Sequence, residues 1–311
     1  MATVGLFGFG RWGKLIFRDL RILGAEVRVI VPSEESQRAA LAAGAMSVQA
    51  DCVTSDELEA LADVDGYVVA APTVLHAEIL FKLVATRKPI FVEKPFAVDR
   101  DASRKLVDVA GERIFIMDKW RYHPGIDKLA ELVRSGVLGD IVALRSFRLG
   151  WDNPHRDVDA IWILVPHDLS IVQHIIGTLP APRLAMSLGA NGIGNDLLAI
   201  LQDGDSGPKV TIEISANHPV SRRAVTVIGT KGSAQLGDSY DDSVVFAAGV
   251  PNGTAGKPEL IPVGAQMPLL AELRAFLAHL AGGPPPLSPA IDGLRVVEHI
   301  ITLRKLAGML S

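Results

Sequence analysis

Three glycines and one lysine carry the first chemical information in this sequence. Gly8, Phe9, Gly10, Arg11, Trp12 and Gly13 follow directly on the apolar run 3–7 and lead into a helical pattern of Leu15, Ile16, Leu20 and Leu23. In that context the first glycine permits a tight turn and the second lets backbone approach a pyrophosphate. The third lets helix pack on strand, while the helix N-terminus presents N–H groups to the anion. The acidic residue that would hold the ribose 2'-OH of NAD at the second strand's tip is not cleanly present, because the tip reads Val29-Ile30-Val31-Pro32-Ser33-Glu34-Glu35. Ser33 with Arg11 or Arg38 would receive a 2'-phosphate, and Glu34 would reach a ribose. Equally, these residues would cap and solvate the helix that starts there, so NAD and NADP both remain open. Lys94 ends a later apolar run in Glu93-Lys94-Pro95. A cation at the carboxyl end of a parallel strand, beside a dinucleotide, polarises a carbonyl and steadies an alkoxide during hydride transfer. His167, with an ordinary imidazole pKa of about 6.5, is suited to taking and returning a proton. Alone on an apolar helix, it reads as a core residue.

The elements that must position these groups follow from hydrophobic period. From Thr3 to Asp118, short apolar runs at 3–7, 26–31, 45–49, 66–71, 89–93 and 113–117 alternate with helical patterns, as in a doubly wound parallel sheet. Ser33 with Glu34 and Glu35 opens one helix that Gly44 closes, and Thr54 with Glu57 makes a capping box for another. After residue 120 an amphipathic helix around Ile126, Leu129, Leu132 and Val133 stops at Ser135-Gly136, and the alternation ends. Val210, Ile212 and Ile214 then alternate with polar residues. Ala224–Ile228 and Ser233–Leu236 flank a turn at Gly229-Thr230-Lys231-Gly232, which reads as antiparallel sheet. A long helix is expected at about 160–176. Two more are expected on either side of Gly282-Gly283-Pro284-Pro285-Pro286, a stiff connector within the second domain.

Several segments recur together in order: Ala70-Ala71-Pro72-Thr73 with His76, Glu93-Lys94-Pro95, Trp120-Arg121-Tyr122-His123-Pro124, Gly136-Val137-Leu138-Gly139-Asp140-Ile141 and Pro166-His167-Asp168-Leu169-Ser170. As an ordered set the chain resembles the glucose-fructose oxidoreductase / inositol dehydrogenase / MocA family along its whole length. The wording around His167 is most similar to the branch acting on sugars and nucleotide sugars. The resemblance implies an α/β chain: a Rossmann domain at 1–119, then an α+β substrate-binding and oligomerisation domain at 120–311 with an open, mostly antiparallel sheet. It implies an NAD(P)-dependent oxidoreductase in which Gly8–Gly13 bind pyrophosphate, Ala71, Pro72, Thr73 and His76 contact the cofactor, and Glu93 holds the nicotinamide ribose. Lys94 would be the catalytic lysine, often preceding a cis proline bond, and His167 the proton acceptor.

One position departs from the family pattern. The aspartate four residues before the histidine is Ile163 here, on the same helix face as His167. A hydrocarbon neither accepts a hydrogen bond nor offsets the charge of lysine and histidine. Asp168 is about 100° round the helix from His167 and should point elsewhere. Asp152, Asp157 and Asp159 precede the helix and would have to fold back to substitute. The enzyme reading therefore stands beside a second one, a sensor of NAD(P) or sugar that has kept the pocket and lost turnover. A reductase of imines or enones, with no need of an alcohol proton relay, is a weaker third. Trp151, Asp152, Asn153, Pro154, His155 and Arg156 form a loop rich in groups that stack on or hydrogen-bond a sugar ring. Together with Lys94, Arg121, Tyr122, Ile163 and His167, Trp151, Asp152 and His155 make the expected substrate surface.

Composition bounds the partners. The 311 residues are 49% hydrophobic and 21% charged, which excludes disorder, and the net charge of −4 gives no general attraction to nucleic acid or anionic lipid. The single cysteine, Cys52, cannot form an internal disulfide or a thiolate metal cage, so redox chemistry needs a borrowed cofactor and no metal is expected. No uncharged apolar run reaches the roughly 18 residues of a membrane span, and the strand pattern begins at Thr3 without a basic leader. The expectation is a cytoplasmic, unprocessed homo-oligomer joined through the second sheet, acting on a sugar-like small molecule.

Overall fold

In the computed structural model, which describes residues 1–50, 63–151, 157–187, 194–250, 253–254 and 256–309, all six N-terminal apolar runs become strands. β1 (Thr3–Phe7), β2 (Glu26–Ile30), β3 (Ser47–Gln49), β4 (Gly66–Val69), β5 (Ile90–Glu93) and β6 (Ile114–Met117) pair in parallel in the order β3-β2-β1-β4-β5-β6. Strands β4, β5 and β6 are buried throughout, which is why they read as continuous apolar runs rather than as alternation. The strand order reverses between β1 and β4, and in such sheets ligands bind beyond the carboxyl ends at that reversal. Helices α1 (Arg11–Ile22), α2 (Glu34–Ala42), α3 (His76–Leu83) and α4 (Arg100–Ala110) connect the strands. Ser33 caps α2 and Asp99 caps α4 through side-chain acceptors, as Ser and Asp do for the orphan N–H groups of a first turn. Cys52 and the Thr54–Glu57 capping box lie outside the described residues.

The second sheet runs β14-β13-β12-β11-β7-β10-β9-β8. Its strands are β7 (Ile141–Trp151), β8 (Pro182–Met186), β9 (Asp196–Leu201), β10 (Lys209–Ser215), β11 (Asn217–Gly229), β12 (Gly232–Leu236), β13 (Ser243–Ala248) and β14 (Glu259–Pro262). All neighbours are antiparallel except β7 and β10, whose parallel register sets Ile212 beside Ser146. The expected alternation on β10 is observed, with Val210, Ile212 and Ile214 buried. Two helices belong with this sheet. α5 (Pro124–Arg134) starts at His123, whose Nδ1 accepts from the Gly125 N–H; α6 (Ala160–Ile176) starts at Asp159, whose carboxylate accepts from Trp162 N–H, and ends at Gly177 with φ of 79°. α6 continues through the buried Pro166.

Two compact units result, and the first takes in a segment from late in the chain. Met1–Lys119 is joined by Met267–Val297, while Trp120–Gln266 is joined by Glu298–Ser311. Helix α7 (Pro268–Leu280), the Gly282–Pro286 connector and the first turns of α8 (Ala290–Leu306) are thus part of the first unit. The physical reason is the apolar stripe Leu269, Leu273 and Phe276, which shares a core with Val4, Leu6, Ile16, Leu20 and Phe91; Phe276 stacks on Phe91 at 4.9 Å. Among the described residues, no helix is long and apolar enough to cross a membrane.

Candidate active site

The glycine loop meets the geometric demands its spacing implies. Gly8 has φ of 98°, and a Cβ there would lie 2.4 Å from the Ala70 carbonyl oxygen; one at Gly13 would lie 2.4 Å from the Gly8 carbonyl oxygen. A Cβ at Gly10 would meet nothing within 4 Å. Gly8 and Gly13 therefore serve the chain's own packing, whereas Gly10 leaves open surface for a ligand. Gly10 is also the N-cap of α1, with no side chain bonding the first-turn N–H groups. Open space and free helix N–H groups suit a pyrophosphate. The Phe9 side chain is 5% exposed and packs edge-on against Phe17 within the core. Arg11 is exposed. Ser33 takes the capping role, accepting from the Ser36 N–H at 3.2 Å, and Arg38 Nε donates to the Glu34 carbonyl.

A second arrangement in the same unit surrounds Lys94, the half-buried residue after β5. The Lys94-Pro95 bond is cis. His76, buried, lies 2.8 Å from the Pro95 carbonyl by Nδ1 and 3.0 Å from the Ala71 carbonyl by Nε2. Its ring nitrogens tie the Ala71–Thr73 loop to the segment after Lys94. Thr73 is buried at the start of a short 3-10 turn, while Ala71 is partly buried and Pro72 exposed. Glu93 receives the Trp12 indole N–H on Oε1 and the Lys94 backbone N–H, at 3.1 Å, on Oε2. Lys119 Nζ lies 4.6 Å from the centre of the Trp12 ring. Burial pushes Glu93 up to about 7 against the opposing pull of Lys94, Lys119 and the Lys94 N–H, with Asp118 adding to the rise. Trp12 thus links the glycine loop directly to the residue preceding Lys94. Asp118, Lys119 and Glu272 were not foreseen, although Glu272 had a signal: it is a carboxylate inside the apolar spacing of 269, 273 and 276.

The second unit builds a separate polar arrangement around α6. Asp168, fully buried, accepts from Ser146 Oγ at 2.6 Å and from Arg148 Nε and Nη2 at 2.8 and 3.3 Å. It points at β7, as its angular offset from His167 requires. Arg148 also stacks on Trp120, its Cζ 4.6 Å from the ring centre; Trp120 stacks on His123 at 4.9 Å and meets His167 edge-on at 6.4 Å. His167 is partly buried and Ile163 is buried on the same helix. Arg121 is 6% exposed and donates from Nε to Ser170 Oγ at 2.8 Å and from Nη2 to Gln173 at 3.0 Å. Tyr122 is partly buried and Trp151 is exposed at the end of β7, whereas Asp152 and His155 lie outside the described residues. Asp159 does not replace the family aspartate, since it caps α6 and pairs with Arg304. Arg222 lies over the Phe147 ring. His174 sits 3.4 Å from Asp127, with burial lowering its proton affinity. Among the described residues no group of His, Cys, Asp or Glu would hold a metal ion.

Residues 2–116 match the sequence model of an oxidoreductase family with an NAD-binding Rossmann fold. An inositol 2-dehydrogenase from Mycolicibacterium smegmatis is 29% identical over 75% of this chain and 70% of its own length. The 2,7-anhydro-N-acetylneuraminate hydratase of Escherichia coli K12 is 25% identical over 76% of this chain and 68% of its own. Among solved structures, the UDP-N-acetylglucosamine 3-dehydrogenase of Acidithiobacillus ferrooxidans superposes with a TM-score of 0.82 over 99% of both chains at 21% identity, which is a likeness of fold.

Proposed function

Because the chain belongs to the Gfo/Idh/MocA family of oxidoreductases with an NAD-binding Rossmann fold, we propose that it exchanges hydride between NAD(P) and a hydroxyl- or carbonyl-bearing carbon of a sugar, polyol or nucleotide sugar. The observation that carries this reading is the Trp12–Glu93 hydrogen bond, which connects the glycine loop to the Glu93-Lys94 strand end. The backbone of Gly8–Gly13 and the first turn of α1 would hold the pyrophosphate. Bound NAD(P) supplies the nicotinamide that accepts or donates hydride.

Lys94 then acts by placing an ammonium where negative charge develops on the reacting oxygen. His167 takes the hydroxyl proton in the oxidative direction and returns it in reduction, a contribution typically worth ~10²–10⁴-fold. Edge contact with Trp120, itself held under Arg148, fixes the imidazole's orientation. Ile163 supplies no carboxylate to either group. Relatives named for inositol and for a nucleotide sugar support the substrate class.

A sensor without turnover remains the second reading, and Ile163 is the observation that favours it. One experiment separates them: NADH binding by fluorescence, followed by turnover of an inositol, aldose and nucleotide-sugar panel with NAD and NADP. The enzyme reading expects binding and turnover of at least one class. Binding with no turnover, restored by Ile163→Asp, overturns it in favour of the sensor.

A further inference from the structure

Helix α1 carries Lys14, Arg18 and Arg21 at intervals of four and three residues, which sets three cations on one side of it over about 10 Å of its axis. All three are exposed. With α2 they border a groove of about 640 Å³ in the first unit. Its floor and far wall are apolar, formed by Phe9 and Phe17, in edge-on contact at 5.4 Å, and by Ala39 and Ala43 of α2 and its C-terminal cap. The α2 wall thus brings no charge. Ile22, also at the groove, is 65% exposed, an apolar side chain that the fold leaves uncovered. Lys14 Nζ stands 5.9 Å from the centre of the Phe9 ring.

In a chain of net charge −4 this rim is a local excess of positive charge. Arg18 pairs with Asp19 at 2.7 Å, whereas Lys14 and Arg21 have no carboxylate partner among the described residues. Three cations against one carboxylate leave two positive charges. A phosphate monoester brings about 1.5 to 2 negative charges at pH 7, and guanidinium forks match its oxygens two at a time. A groove of this volume, mostly apolar with a few charged groups, is of the kind that small ligands occupy. Phe9 and Phe17 are 5% and 4% exposed, so the floor is met only by a body that enters the groove, which a flat bilayer does not. We infer that the groove between α1 and α2 is a second ligand site, for a phosphate monoester with an apolar body. Its phosphate lies among Lys14, Arg18 and Arg21, and its body runs along Ala39, Ala43 and Ile22. The inference is independent of the reaction assigned to Lys94 and His167. Phe9 belongs to the glycine loop, so the site must also be told apart from that of the dinucleotide.

The test is isothermal titration calorimetry of 1-naphthyl phosphate into the full chain, with 1-naphthol and inorganic phosphate titrated separately as its two halves. Each titration is repeated in saturating NADH and in saturating NADPH. 1-Naphthyl phosphate should bind saturably, at least about tenfold more tightly than either half, and keep its affinity beside bound dinucleotide. Two variants at exposed positions then locate it. Arg21→Glu should weaken binding by about tenfold or more, the size of one lost charge-assisted hydrogen bond. Ala43→Trp fills the groove without altering charge and should lower affinity at least as far. No saturable binding, displacement by either dinucleotide, equal affinity for 1-naphthol, or unchanged affinity in either variant overturns the proposal. Binding to phosphatidylcholine vesicles containing phosphatidate, with none to free 1-naphthyl phosphate, also overturns it and assigns the three cations to a lipid surface.

Discussion

The acid cluster behind Lys94 and the ion pair beneath His167 are both buried, yet they handle charge in opposite ways. In the second unit, Asp168 receives two bonds from Arg148 and one from Ser146, and Arg121 donates to Ser170 and Gln173. Opposite charges there are matched by geometry. In the first unit, Glu93, Asp118 and Glu272 outnumber Lys94 and Lys119, and burial raises the proton affinities of Glu93 and Glu272. A matched pair fixes a scaffold, whereas an unmatched cluster titrates. The comparison teaches that raised carboxyl proton affinities lie beside the lysine, while the histidine stands next to a hydrogen-bonded ion pair.

The sharpest way to break the contrast is Arg148→Met. It leaves Asp168 buried without its countercharge, and a loss of about 3–5 kcal/mol is expected, measured by chemical denaturation. It should also remove the cation from the Trp120 face and loosen His167. The next effect belongs to the first unit. Because Glu93 titrates near 7 in the fold and near 4.3 when unfolded, its contribution is complete at acid pH and is lost as pH rises to about 7. Melting curves of Glu93→Gln should therefore be flatter than wild type over that interval; an equal slope would show that Glu93 is ionised throughout. Ser170→Ala deprives Arg121 Nε of its acceptor, with an expected loss of about 1.5–3 kcal/mol and no change in pH slope. The smallest expected effect is Ser33→Ala, which removes the α2 cap at a cost of about 1 kcal/mol. A collapse of NADPH affinity in that variant, with NADH unaffected, would instead assign Ser33 to a 2'-phosphate.

Much of this was legible in the sequence, and the gaps have physical causes. The six parallel strands, the Ser33 cap, the extent of α6 and the turn between β11 and β12 all follow from local period and capping chemistry, which short windows contain. The parallel pairing of β7 with β10 did not, since alternation marks a strand's buried face but not the direction of its neighbour. Nor did the assignment of α7 to the first unit, because the stripe Leu269, Leu273 and Phe276 announces a buried face without naming what it packs on. Site residues divide the same way. Gly8, Gly13 and Asp168 behave as their local constraints dictate, while Arg121 and His76 act through partners 49 and 19 residues away in one direction of the chain. Glu272 stood in plain view as a carboxylate within an apolar stripe, but its cluster comes from β5, β6 and α7 together.

The account turns on Lys94 as the group that meets the reacting oxygen. The most direct measurement is kcat/KM for the best substrate of the panel in wild type and Lys94→Met, alongside NADH affinity for both. The prediction is a fall of ~10²–10³-fold in kcat/KM with cofactor affinity retained. Equal kcat/KM in the two proteins would contradict it.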